Sequence, residues 1–317
     1  MAGAVIALAL VLAAVTPGFF ARDNLSDLFL ANMPVLIIAL GMTLVILTGH
    51  IDISVGSLFA VCAVISGVLA KTGWPMPLVV VAACAVGVLI GIVNGSLVAF
   101  LRIPSIVVTL AVMIGLREGL RWATEGAWIQ DLPASYQWLG LGPRGYPLVV
   151  LAVVTGLQIA FGWALANLAA GRAVYAVGSS PGAARLAGLH VERVTVAVFA
   201  VAGALVGIAA GLNSVRFNQI PSNTGLGLEL KVIAAVVVGG TAISGGRGTA
   251  VGTLLGVILL SAIGGMLGIA IAAATLSAVR VINPGNIPRL DQIGLDLRVL
   301  AFTAAVMGGI GNLRGAV

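Results

Sequence analysis

Charge is the scarcest property of this sequence. Only 8% of its 317 residues are Asp, Glu, Lys or Arg, whereas soluble domains average about 25%. Hydrophobic residues make up 60% of the chain, and the mean hydropathy is +1.18. Because no soluble fold of this length could bury so much apolar surface, the composition excludes a soluble protein and indicates a polytopic membrane protein.

Basic runs and paired cysteines are also missing. The net charge of +6 comes from arginines scattered among apolar stretches, without a cluster that could follow phosphates, so nucleic acid is not an expected partner. Cys62 and Cys84 both lie in apolar stretches without a C-x-x-C pattern. The sequence therefore predicts neither a disulfide framework nor a metal site.

A nucleotide-binding loop and a zinc-protease motif are absent as well. Lys71 and Lys231 are the only lysines, and they follow Ala70 and Leu230, so neither belongs to a G-x-x-x-x-G-K-[ST] loop. The zinc-protease pattern H-E-x-x-H does not occur. The pattern G-x-S-x-G occurs once, at 178–182, within a stretch of small and polar residues. We expect no catalytic residues and no cofactor bound by this chain, and any ATP with its Mg²⁺ must be bound by another chain.

Long apolar segments are what the sequence has in abundance. The apolar segments are ten in number: 2–15, 32–49, 53–70, 78–101, 103–116, 147–169, 194–214, 229–243, 249–270 and 298–314. Several are shorter than the about 20 residues of a full span, and two pairs meet at glycine-rich polar breaks, which in lipid must be buried or line water. The predicted fold is one all-α transmembrane domain over residues 1–317, with about ten transmembrane or re-entrant helices.

Glycines recur at four-residue spacing in two segments. The two triplets are Gly87, Gly91, Gly95 and Gly203, Gly207, Gly211, and each precedes an Ile-Pro pair, at 103–104 and 220–221. Small residues on one helix face permit close packing. The pattern is also compatible with an internal repeat of the transporter type.

The break between the second and third segments contains a carboxylate. Asp52 lies in the run 47–56, where a mid-membrane charge costs about 2.5 to 3.5 kcal/mol and so requires a partner or a wet cavity. Asp52 or Gly49 could cap a new helix that begins near Ile53, or Asp52 could lie in a solvated surface turn. An enzyme that used Asp52 with His50 would need two convergent groups, and near neighbours on one helix diverge.

Two further polar stretches stand out. The stretch 171–193 is compatible with a short helix over Ala183, Ala184 and Ala187 that could dock in a groove of another protein, or with a plain solvated loop. The stretch 225–249 contains Glu229 and Lys231 at a segment edge, and its glycines permit either tight packing or a bend.

At these residues the chain resembles the permease family of bacterial ABC importers for ribose, arabinose, xylose, rhamnose and autoinducer-2. The run 49–56 resembles the family's Gly-Gly-Ile-Asp-Leu-Ser-Val-Gly, with His50 in place of the second glycine. Further matching stretches follow in order: Asn94-Gly95, 102–104, Thr109-Leu110, 171–188, 229–240 and 245–256. Within the family, 118–122, 126–129, 132–133 and 223–225 look most like rhamnose and autoinducer-2 permeases, whereas 269–297 departs from the pattern.

The resemblance implies the fold of a type II ABC importer permease in the bacterial inner membrane. It implies a second permease chain, identical or different, two ATP-binding subunits on the cytoplasmic face, a periplasmic solute-binding protein, and a small sugar as the solute. The coupling residues implied are Gly171, Arg172, Ala183, Ala184, Arg185 and Gly188. Basic residues alone do not fix the orientation, so the cytoplasmic placement of 171–193 rests on the resemblance.

A neutral polyol presents hydroxyls and little charge, so amides, hydroxyls and the rare carboxylates are the candidate path residues. These are Asp52, Ser54, Asn94, Thr109, Asn213 and Glu229, together with Gly49 at the polar break. The alternatives are import of autoinducer-2 by the same mechanism, or a carrier or channel that works alone. An ion-coupled carrier usually has several intramembrane carboxylates, and only Asp52 and Glu229 qualify here.

Overall fold

The computed structural model describes residues 2–15 and 20–282. In this part the chain forms eleven α-helices and the short 3-10 helix Gln137–Gly140. The helices are α1 Ala2–Val15, α2 Arg22–Leu47, α3 Val55–Lys71, α4 Met76–Ala99, α5 Ser105–Ala123, α6 Gly142–Asn167, α7 Ala169–Ser179, α8 Pro181–Leu186, α9 Val191–Ser214, α10 Leu228–Val238 and α11 Ala250–Ile282. The predicted all-α class is confirmed.

Five helices of the described part are long and apolar enough to cross a bilayer. They are α2, α4, α6, α9 and the portion Ala250–Leu267 of α11. Nine predicted segments coincide with helices, while segment 298–314 and much of the divergent stretch 269–297 lie outside the described residues. Several predicted boundaries were wrong. Three helices are longer than predicted: α2 begins earlier, at Arg22, α5 continues past 116 to Ala123, and α11 continues past 270 to Ile282. Helix α6 begins five residues earlier than predicted, and α10 ends five residues earlier.

The described chain divides into two compact units. One contains the described residues up to Asn32 and those from Ile258 onward, and the other is Met33–Val257. In the first unit, Ser261 Oγ donates a hydrogen bond of 2.8 Å to Asn32 Oδ1 and so joins α11 to α2. All the candidate sites below lie within the second unit. A single domain over 1–317 stays a prediction.

The two glycine triplets lie on the antiparallel helices α4 and α9, which pack in close contact. A Cβ atom at position 203 would lie 2.6 Å from the carbonyl carbon of Gly87, and one at position 95 would lie 2.8 Å from Val196 Cα. As residue numbers increase along α4, the residue numbers of the contacts on α9 decrease. The glycines therefore allow two backbones to touch, which is the packing role that their spacing indicates.

The end of the unit that holds the C-terminus of α9 is covered by the chain between α5 and α6. Ile129 and Ile220 exchange two backbone hydrogen bonds of 2.9 and 3.0 Å, and Tyr136 Oη is hydrogen-bonded to Ser214 Oγ. Burial raises the pKa of Tyr136 to about 12, so its hydroxyl stays protonated and available for this bond. We call this the far end, and the end with α7 and α8 the coupling end.

Candidate translocation and coupling sites

Asp52 lies in the break between α2 and α3 and is only 2% exposed. Its Oδ1 atom accepts hydrogen bonds from Ser54 N at 2.8 Å and from Ser54 Oγ at 2.6 Å. Asn94 Nδ2 on α4 donates to Ser54 Oγ at 2.9 Å. The solvated surface turn is therefore ruled out, and α3 begins at Val55, two residues later than the capping interpretation predicted.

The backbone of the break is held by the start of α5. Ile51 N donates to Ser105 Oγ and Ile53 N donates to Thr109 Oγ1, both at 3.1 Å. These bonds replace the helical bonds that the break removes, as buried backbone groups require. The structure thus brings together four predicted residues, Asp52, Ser54, Asn94 and Thr109, in one polar cluster, which we call the Asp52 cluster.

Two opposite charges approach the first turn of α3 from other helices. Glu229 on α10 is 9% exposed, and its Oε2 atom lies so close to Gly56 that a Cβ atom there would overlap it. From α5, Arg117 Nε donates to Ser57 Oγ at 3.2 Å. Within the described residues, Glu229 Oε2, Arg117 Nη2 and Asn94 Oδ1 are buried atoms without a hydrogen-bond partner. Such groups cost free energy unless a further partner bonds them.

Of the other predicted path residues, Asn213 lies away from the Asp52 cluster, whereas Gly49 lies three residues before Asp52. Asn213 is at the far end, in the last turn of α9, whereas Asn94 is near the opposite end of α4. Gly49 has a positive φ of 79° and lies against Ser244 O. His50 packs its ring against Phe199, with centroids 6.1 Å apart, so it and Asp52 have different partners.

The predicted loop 171–193 consists mainly of helices at the coupling end. Ser180 caps α8 by accepting a hydrogen bond from Ala183 N at 3.3 Å, and Gly188 ends the turn with a φ of 83°. A small core of Val177, Ala184 and Val191 holds α7, α8 and the start of α9 together. We call 169–190 the coupling segment.

The predicted coupling residues differ in their exposure. Gly171 and Ala184 are buried, Gly171 against the end of α6, so neither offers a docking surface. Arg172, Ala183, Arg185 and Gly188 are exposed. Arg185 Nη2 forms an ion pair of 2.7 Å with Glu192 Oε1, and Arg172 Nη1 donates to Asn167 O at 3.1 Å.

Sequence reasoning missed two residues of these sites. Arg117 falls just past the predicted segment 103–116, yet its side chain reaches the first turn of α3. Leu186 is 93% exposed at the C-terminus of α8. The available signal in the sequence was a large apolar side chain in a stretch of otherwise small and polar residues.

The fold and its polar break define a polytopic α-helical membrane protein of the transport class. Residues 24–271 match the family described as the branched-chain amino acid transport system permease component. The chain belongs to this permease family. It is therefore a transport subunit of an import system and a multi-pass protein of the bacterial inner membrane.

The similar proteins include several named autoinducer 2 import system permease protein LsrC. The protein from Enterobacter sp. (strain 638) is 38% identical over 82% of this chain and 76% of its own length. That from Escherichia coli (strain K12 / DH10B) is 39% identical over 82% and 78%. The Salmonella typhi protein is 36% identical over 83% and 76%. No solved structure matches the chain.

Proposed function

We propose that the chain is the membrane permease of an ATP-driven importer whose solute is autoinducer 2 or a closely similar small polyol. The observation that carries this proposal is an identity of 36% to 39% with autoinducer 2 import permeases over more than four-fifths of the chain. Import of a rhamnose-like sugar by the same mechanism is the second candidate. The order of the matched motifs along the chain favours an importer permease, for either solute, over a carrier that works alone.

The proposed assembly has two permease chains, two ATP-binding subunits and a periplasmic solute-binding protein. The ATP-binding subunits bind ATP and Mg²⁺. Closure of this pair of subunits moves the coupling segment. Leu186 supports this role, because a leucine that is 93% exposed on a short helix outside the membrane spans suits an apolar groove of a partner.

We propose that the solute passes the first turn of α3. Asn94 Oδ1 and Glu229 Oε2 are acceptors and Arg117 Nη2 is a donor, and all three are buried without a partner among the described residues. A hydroxyl both donates and accepts, so a polyol can satisfy each kind of group in turn. The Asp52 cluster holds this turn in place.

The direct test is to purify the tagged chain from native membranes under mild conditions and to identify its partners by mass spectrometry. We expect an ATPase with a nucleotide-binding loop, and ATP-dependent uptake of autoinducer 2 after reconstitution with the binding protein. Recovery of the chain alone, with solute uptake in liposomes that contain no ATP, would overturn the proposal in favour of a self-sufficient carrier.

Replacement of Leu186 by aspartate is expected to reduce recovery of the ATPase by about tenfold or more, because a central apolar anchor is lost. Co-purification from membranes measures this effect. Leu141→Asp is the matched control, since Leu141 is also exposed but lies at the far end. Equal recovery with Leu186→Asp and Leu141→Asp would show that α8 does not contact the ATPase.

Charge reversal tests how Arg185 acts. We expect Arg185→Glu and Glu192→Arg each to lower coupled uptake by about twofold to fivefold, since α8 loses its ion pair to α9. The double reversal re-forms the pair and is expected to restore most of the uptake. A double variant no better than Arg185→Glu would instead assign Arg185 a direct contact with the ATPase.

A further inference from the structure

Glycines join the coupling segment to the end of α2 through direct backbone contact. A Cβ atom at position 178 would overlap Leu47 O and lie 2.7 Å from Gly246 N. Gly246 N itself donates to Leu47 O at 2.9 Å. A Cβ atom at position 245 would lie 2.9 Å from both Gly178 O and Gly49 N. We call Gly49, Gly178, Gly245 and Gly246 the glycine junction.

The chain between α10 and α11 is fixed in this junction by its own geometry. Gly245 and Gly246 have positive φ angles of 84° and 73°, which residues other than glycine rarely adopt. From α7, Tyr175 Oη donates to Gly248 O at 2.7 Å. Ala242 N donates to Arg247 O at 2.8 Å and closes the turn. The loop 242–248 is therefore held on one side by α7 and on the other by the end of α2.

The junction leads directly to the Asp52 cluster. Gly49 lies three residues before Asp52. The backbone N–H groups of Ile51, just before Asp52, and Ile53, just after it, donate hydrogen bonds to α5. Side chains can change rotamer and absorb a displacement, but the contacts between Gly178, Leu47 and Gly246 involve backbone atoms. Packed backbones have no such freedom, so a shift of one requires a shift of the other.

We propose that the glycine junction is the positioning element that transmits motion of the coupling segment to the Asp52 cluster. The coupling segment, the end of α2 and the loop 242–248 then move as one rigid body during transport. The inference rests on the proposed function, because it requires an ATPase that moves the coupling segment. Close packing for stability alone is the competing explanation.

The first experiment uses the full complex in proteoliposomes with autoinducer 2 and its binding protein. In Gly178→Ala we expect uptake to fall by about tenfold, the size of a typical coupling effect, while ATP hydrolysis continues and no longer responds to the loaded binding protein. Gly156→Ala is the matched control, since Gly156 lies in α6, outside the coupling segment, with nothing within 4 Å of the added Cβ. Normal coupled uptake in Gly178→Ala would overturn the proposal.

A milder variant guards against loss of folding. Tyr175→Phe removes the hydrogen bond to Gly248 O and leaves the ring in place. We expect it to lower uptake per ATP hydrolysed, at wild-type membrane level and melting temperature. An unchanged ratio in Tyr175→Phe would contradict the junction's role. Absence of ATP-dependent uptake in the wild-type complex would refute the proposed function itself, so the two failures are distinguishable.

The second experiment tests for rigid-body motion by measuring distances between spin labels with electron paramagnetic resonance. Spin labels at Gly182→Cys and Ile243→Cys, in a variant with Cys62 and Cys84 replaced by alanine, report on the coupling segment and the loop. Their separation is expected to stay the same with and without ATP, while the separation of Gly182→Cys from Trp122→Cys near the far end changes. A nucleotide-dependent change between positions 182 and 243 would overturn the proposal.

Discussion

Asp52→Asn is expected to reach the membrane at normal levels and yet to lose uptake by about tenfold or more. The asparagine oxygen can still accept both hydrogen bonds from Ser54, so the break keeps its shape. The substitution removes the group that can ionise beside the proposed path and puts an NH₂ donor in place of Oδ2. Uptake by the reconstituted complex, compared with protein level in the same membranes, measures the effect.

Asp52→Ala is expected to do more damage, because it leaves the Ser54 N–H and hydroxyl without their acceptor. Each unsatisfied buried group costs about 1 to 3 kcal/mol, so both protein level and uptake fall. The control is Asp27→Ala, which removes an exposed carboxylate of α2. If Asp52→Asn transports normally, the carboxylate serves only to shape the break and has no part in the path.

Gly203→Val is expected to lower stability by about 3 kcal/mol or more, because added methyl groups would overlap the backbone of Gly87 and force α4 from α9. The thermal midpoint of the purified protein and its level in the membrane measure the loss. Gly162→Val is the matched control: it places the same side chain in a helix where nothing lies within 4 Å of the new Cβ.

Similar midpoints for Gly203→Val and Gly162→Val would show that the contact between α4 and α9 does not limit stability. A fall at position 203 alone would establish this contact as the principal packing interface between helices that the glycine triplets form. It would also separate the packing explanation of the triplets from the internal repeat, which needs no contact between the two copies.

Most helix positions followed from the sequence, since apolar length is a direct requirement of the bilayer. Boundaries failed where polar residues continue a helix. Residues Arg22–Asp27 look like a loop by hydropathy, yet Asp23 suits the first turn of α2 because a helix N-terminus favours negative charge. Arg117 was missed for the same reason, because hydropathy ends the predicted segment at 116 whereas α5 continues to Ala123.

The sequence by itself determined the class of protein, its permease family and the location of the polar break, because composition, apolar length and ordered motifs are local properties of the chain. Only the tertiary structure decided which of the polar residues meet. It joined Asp52 to Asn94 and left Asn213 at the far end. It also revealed that Gly178 lies against Leu47 and Gly246, since contacts between backbones distant in sequence depend on how helices pack and leave no periodic trace along the chain.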